Sequence, residues 1–295
     1  MKSMRVLMMV MPLLAIGLML QAGCKKEEAK PSRVAKKEAT GGTAGGAAGG
    51  ASGGGALEAK VFNATIKGRV TYDGDMPAPL EIKEVDKANQ DKGCPAKVMK
   101  AGWYVDKSSD KKGVRYAVLV LRPAGGMKMP KLSEDQLKPP AGKDVLQVGQ
   151  PKCQFEPRVI VLGPEQNVKF TNDSEPAQTH DANLSGTSGK FTKTLPPGQS
   201  WTYTIEPDDR APYGVSCNQH SAFMSAYVWK FKHPFAAVSD DNGNFEIKNA
   251  PVPSNGKMEL WVWHEMIEAP GNMKKVKDLD LKDGGVETVD VAIPK

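Results

Sequence analysis

Histidine and cysteine are scarce in this 295-residue chain, four of each, and aromatic residues make up only 6%. No Cys-x-x-Cys-His segment occurs, which excludes a covalently attached c-type haem. No glycine-rich phosphate loop leads into a helix, and no Ser-His-Asp set has an evident context. Beyond the N-terminus no run has a helical period of ordinary length, which excludes a helical bundle. Basic residues outnumber acidic ones only 40 to 34, and several of them cluster near the N-terminus, so no basic stripe marks a nucleic-acid partner. What the chain does have is 30 Gly, 22 Pro and 40% hydrophobic residues, a composition that favours turn-rich β architecture with room for two domains.

Residues 1–24 read as a secretion signal: Lys2 and Arg5, the apolar run Val6 to Leu20, then Ala22 and Gly23 before Cys24. The run is too short to span a bilayer comfortably. A cysteine after small residues resembles the bacterial lipobox, which implies lipidation of Cys24 and a cell-envelope location on the periplasmic or cell-surface side. An ordinary cleaved signal or an uncleaved anchor is the alternative. Residues 25–57 form a tether, charged up to Ala39 and nearly all Gly and Ala from Thr40 to Gly55. As a flexible coil it reaches roughly 30 Å.

The remainder is expected to be all-β. Thr65 to Tyr72, Tyr116 to Leu121, Arg158 to Leu162, Asn167 to Thr171, Ser200 to Ile205, Ala226 to Phe231, Leu260 to Trp263 and Val286 to Ile293 read as strands. Turns fall at Pro196-Pro197-Gly198 and Pro207-Asp208-Asp209. A Pro- and Lys-rich connection separates the first group from the second.

Chemistry concentrates at Cys217, His220 and Met224, spaced Cys-x2-His-x3-Met on a loop between two strands. His180, thirty-seven residues upstream of Cys217, supplies a fourth donor. Two imidazoles, a thiolate and a weak axial thioether are the ligand set of blue-copper electron-transfer sites. With Cys24 lipidated and Cys217 ligating, Cys94 and Cys153 are left to pair in an oxidising compartment. A merely buried Cys217 is the competing reading. His233 and His264 are read as structural ahead of a second metal site, and of the Trp261 and Trp263 pair one is expected in the core and one exposed.

Residues 149–232 resemble the cupredoxins of the plastocyanin, amicyanin and azurin group. The resemblance implies a Greek-key sandwich holding one mononuclear copper ion at His180, Cys217, His220 and Met224. In that family Asn usually follows the upstream histidine, where this chain has Asp181. Gly68-Arg69-Val70-Thr71-Tyr72 and the distant Asp240 to Ile247 segment resemble the carboxypeptidase regulatory-like, transthyretin-like β-sandwich. That implies one sandwich split into residues 58–125 and 233–295, with 126–148 as connection and the copper block inserted. Two sequential sandwiches are the rival arrangement. The whole chain is similar to methylamine-utilisation-like envelope proteins.

These resemblances imply an electron carrier, not an enzyme, docking a redox partner such as a c-type cytochrome or oxidoreductase. His220, beside Ala222 and Phe223, is expected to present its imidazole edge through a small apolar surface. Copper capture and delivery, and a metal-free scaffold or binding module, are the alternatives.

Overall fold

The computed structural model describes residues 55–75, 82–99, 102–105, 112–220 and 223–293. Cys24, the signal segment and most of the tether lie outside the described residues. The described residues are mostly β-strand in several sheets, and among them α-helix occurs only at Lys87–Asp91 and Glu134–Leu137.

Strands before residue 125 and after residue 233 share two sheets. Ala59–Tyr72 pairs antiparallel with Asn244–Pro253 and parallel with Val286–Thr288 and Val291–Ile293. Val118–Pro123 lies between Ala236–Val238 and Met258–Trp263, which in turn pairs with Met273–Leu279. The intervening residues form two other sheets. One is Ser200–Tyr203, Asn167–Thr171 and Val145–Gly149; the other runs Val159–Leu162, Ser225–Lys230, Tyr213–Ser216, His180–Gly186 and Gly189–Leu195. Val145–Gly149 thus pairs in a sheet with Asn167–Thr171, although most of it falls in what the sequence reads as a connection.

Ile82–Glu84 and Lys97–Met99 form a fifth, two-stranded sheet. Three buried clusters lie among the four larger sheets, and side-chain alternation explains how. Along Val118–Pro123, Leu119 and Leu121 enter one cluster with Ile66, Val70, Phe245 and Leu260. Val118 and Val120 enter another with Val159, Trp229, Phe231 and Trp263. Successive strand residues face opposite sides, so a strand covered on both faces reads as an unbroken apolar run. Val159–Leu162 repeats the pattern: Val159 joins this middle cluster, whereas Ile160 and Leu162 join the third, with Val168, Phe170 and Val228.

The expectation of one core and one exposed tryptophan is corrected. Trp263 is buried in the middle cluster and Trp261 is partly buried against it. Two-residue spacing in a strand puts both on one face.

Residues 82–99 pack toward the third cluster through Val85, Cys94 and Val98. A disulfide joins Cys94 to Cys153, which fastens this segment beside the ligand loop.

Candidate metal centre

Tyr213–Ser216 and Ser225–Lys230 run antiparallel with Ser216 opposite Ser225, so the chain between them must turn back tightly. It does so through a 3₁₀ turn, Asn218–His220. The N–H of His220 donates to the Cys217 carbonyl at 3.2 Å, that of Met224 to the His220 carbonyl at 2.9 Å, and that of Cys217 to the Met224 carbonyl at 3.3 Å. A 3₁₀ turn places residues i and i+3 on the same side. The Cys-x2-His spacing therefore brings the thiol and the imidazole together.

His180 opens the strand His180–Gly186, whose Asn183 lies opposite Ser216. Continuing that antiparallel register past Ser216 carries the ligand loop beside Asp181 and His180. The backbone N–H of Asp181 donates to Cys217 Sγ at 3.2 Å. The approach to His180 is held by buried Asn172, whose amide donates to the carbonyls of Gln178 (2.8 Å) and Leu195 (2.7 Å). Asp181 itself accepts from Thr194 Oγ1 at 2.6 Å.

Three donor atoms converge. The Nδ1 atoms of His180 and His220 are 3.2 Å apart, and Cys217 Sγ lies 3.9 Å from the first and 3.7 Å from the second. Exposure is 0% at His180 and Cys217 and 3% at His220. Met224, also fully buried, closes the loop.

Burial, reinforced by the facing His220 ring, lowers the His180 pKa to about 4. Burial and the Lys92 charge lower that of His220. Both rings are thus neutral near pH 7, with lone pairs available. Burial raises the Cys217 thiol above its ordinary value, against the backbone N–H groups of Asp181, Gln219 and His220 that favour the thiolate. A cation bound here would displace the thiol proton, which links binding to pH. The three donors are close enough to hold one metal ion. Their chemistry, two neutral imidazoles and a thiol with N–H donors already directed at the sulfur, fits a soft or borderline cation.

The expected exposed edge of His220 is corrected. The ring is buried, and its Nε2 lies 3.4 Å from Cys94 Sγ, under the disulfide-fastened segment. Ala222 lies outside the described residues, and Phe223 is buried with its ring 5.5 Å from that of His220.

Three supporting residues escaped the sequence reading. Asn183 Nδ2 donates to Asn218 Oδ1 at 2.7 Å, tying the His180 strand to the residue after Cys217. Gln178 Nε2 donates to Cys153 Sγ at 3.0 Å, and Asn172 braces the approach loop. Only their closeness in sequence to His180 and Cys217 hinted at them.

His233 and His264 stand apart from the centre. His233 sits between the rings of Phe231 and Phe235 and accepts from the Phe235 N–H at 3.2 Å. His264 stacks on Trp103 with ring centroids 4.5 Å apart and accepts from the Met266 N–H. Neither belongs to a metal-capable His, Cys, Asp or Glu group among the described residues.

No protein-family model and no curated protein matches the chain.

Proposed function

We propose that this chain is a cupredoxin-like mononuclear copper protein that passes single electrons, with His180, Cys217, His220 and Met224 as the residues that would hold the ion. The observation that carries this reading is the convergence of two Nδ1 atoms and one Sγ within 3.9 Å of one another. Two neutral imidazoles and a thiol would hold copper and, when it is bound, suit both of its oxidation states; structural zinc is ordinarily held by four Cys and His donors.

Copper in such a set supplies a one-electron couple. The protein's part is to keep the donors in place: the Asp181 N–H directed at Cys217 Sγ offsets charge on the sulfur, Asn183 ties the His180 strand to Asn218, and Asn172 and Thr194 brace the chain on either side of His180. Little rearrangement between oxidation states favours fast exchange.

In this reading residues 149–232, joined by the strand Val145–Gly149 that pairs with Asn167–Thr171, form the Greek-key cupredoxin unit, inserted into a carboxypeptidase regulatory-like sandwich whose strands lie on both sides of it in sequence. Lipidated Cys24 and the tether would hold the protein in the cell envelope, near a partner such as a c-type cytochrome. Copper capture and delivery is the second reading. It is favoured by the burial of His220, which removes the usual ring edge for electron exchange.

Cu(II) added to metal-free protein should give one copper per chain, intense visible absorption and a paramagnetic-resonance spectrum with narrow copper splitting. Cys217→Ser should abolish the colour. A colourless wild-type complex would reject the electron carrier, and slow self-exchange with rapid loss of copper to a chelator would favour delivery.

A further inference from the structure

His220 has two faces. Nδ1 points to His180 and Cys217, while Nε2 points the other way, onto the Cys94–Cys153 disulfide. We propose that Cys94, Cys153 and His220 Nε2 form a second, soft-metal site that opens when the disulfide is reduced. Its donor atoms lie within 4.8 Å of one another and all three residues are buried, at 5%, 0% and 3% exposure. Gln178 holds its amide 3.0 Å from Cys153 Sγ and 3.7 Å from Cys94 Sγ, placing an N–H donor over both sulfurs.

Opening the site takes a two-electron reductant such as a dithiol. Its two thiols give up two electrons and two protons and close into a disulfide; the Cys94–Cys153 bond breaks, and each cysteine is left as a thiol. Two thiolates and an imidazole select Cu(I) over harder cations, and binding sends the thiol protons to solvent. Because one imidazole would serve both sites through opposite nitrogens, loading one changes the basicity that the other meets. The chain then carries a second copper only under reducing conditions.

This site needs neither Cys217 nor His180, so it can be tested where the copper reading is switched off. Cu(I) is titrated against a chromophoric chelator in the full folded chain, before and after phosphine reduction, with far-UV circular dichroism and a thiol count on each sample. Cys217→Ser should gain one equivalent of Cu(I) on reduction, and Cys94→Ser/Cys217→Ser should gain none. The proposal is overturned if Cys217→Ser gains none, if the double variant gains as much, if the folded protein resists reduction, or if reduction abolishes the β signature. Failure of the electron-carrier reading shows separately, as a colourless Cu(II) complex of oxidised wild type.

Discussion

At the scale of residues, buried polar groups set both the centre and the acid stability. Asn172 is fully buried and satisfied by two carbonyls and the Ser174 N–H. Asn172→Ala takes a partner from the Leu195 carbonyl and the Ser174 N–H, while the Gln178 carbonyl keeps the Ser174 hydroxyl, at a cost of about 1–3 kcal/mol. Loosening the approach to His180 should also weaken metal binding at the proposed centre. Urea unfolding of the metal-free variant and copper competition should show both losses. His264 is one of three buried histidines, with His180 and His233, that link stability to pH. Burial lowers its pKa to about 4, opposed by Glu265 and the Arg115 backbone and helped by Arg158. As pH falls below about 6.5 the unfolded chain takes up a proton that the native ring refuses until about pH 4. Stability from this residue is complete above that window and falls as pH drops through it. The loss in unfolding free energy between pH 7 and pH 4.5 should shrink by about 2–3 kcal/mol in His264→Phe.

At the scale of elements, the strand Ala59–Tyr72 shows why its glycine is needed. Gly68 faces Phe245 across one pairing, and a Cβ there would lie 1.9 Å from the Val289 carbonyl oxygen. The segment joining Val286–Thr288 to Val291–Ile293 runs alongside this strand in one parallel register, and the Val289 N–H donates to the Lys67 carbonyl at 2.8 Å. Gly68→Ala must push that segment away, and should lower stability by about 1–3 kcal/mol or more while leaving metal binding at the proposed centre unchanged. Thermal unfolding and visible absorption of one sample check both halves. The ligand loop shows the same economy of length: a single 3₁₀ turn between paired strands aligns Cys217 with His220.

At the scale of the whole molecule, the middle cluster and one buried ion pair join the sheets on either side. Arg158, just before Val159–Leu162, donates from Nη2 to Glu265 at 2.7 Å; the two side chains are 6% and 4% exposed. Arg158 also donates to the Ser225 carbonyl, beside the ligand loop. Glu265→Ala leaves a buried guanidinium without its counterion and should cost about 3–5 kcal/mol, whereas Arg158→Met/Glu265→Leu should recover much of that loss. Equal destabilisation of single and double variants in urea titrations would contradict this account. The all-β character was legible from short β-rich runs and turn residues, and Asn167–Thr171 was read with its observed bounds. His180–Gly186 and Gly189–Leu195 were not read as strands, because Asn, Asp, Ser and Lys mask the alternation of an antiparallel pair with one face exposed.

The sequence by itself set Cys217, His220 and Met224 on one loop whose local hydrogen bonds need few distant partners. The pairing of Cys94 with Cys153 was an expectation that the fold bears out. Only the tertiary structure decided where His180 enters, since that depends on the register of two strands far apart in the chain. It alone decided that His220 turns one nitrogen to the centre and the other to a disulfide beneath residues 82–99. Burial and ring orientation follow from the stacking of whole sheets, and that stacking leaves no periodic trace in a single strand beyond the number of its faces that are apolar.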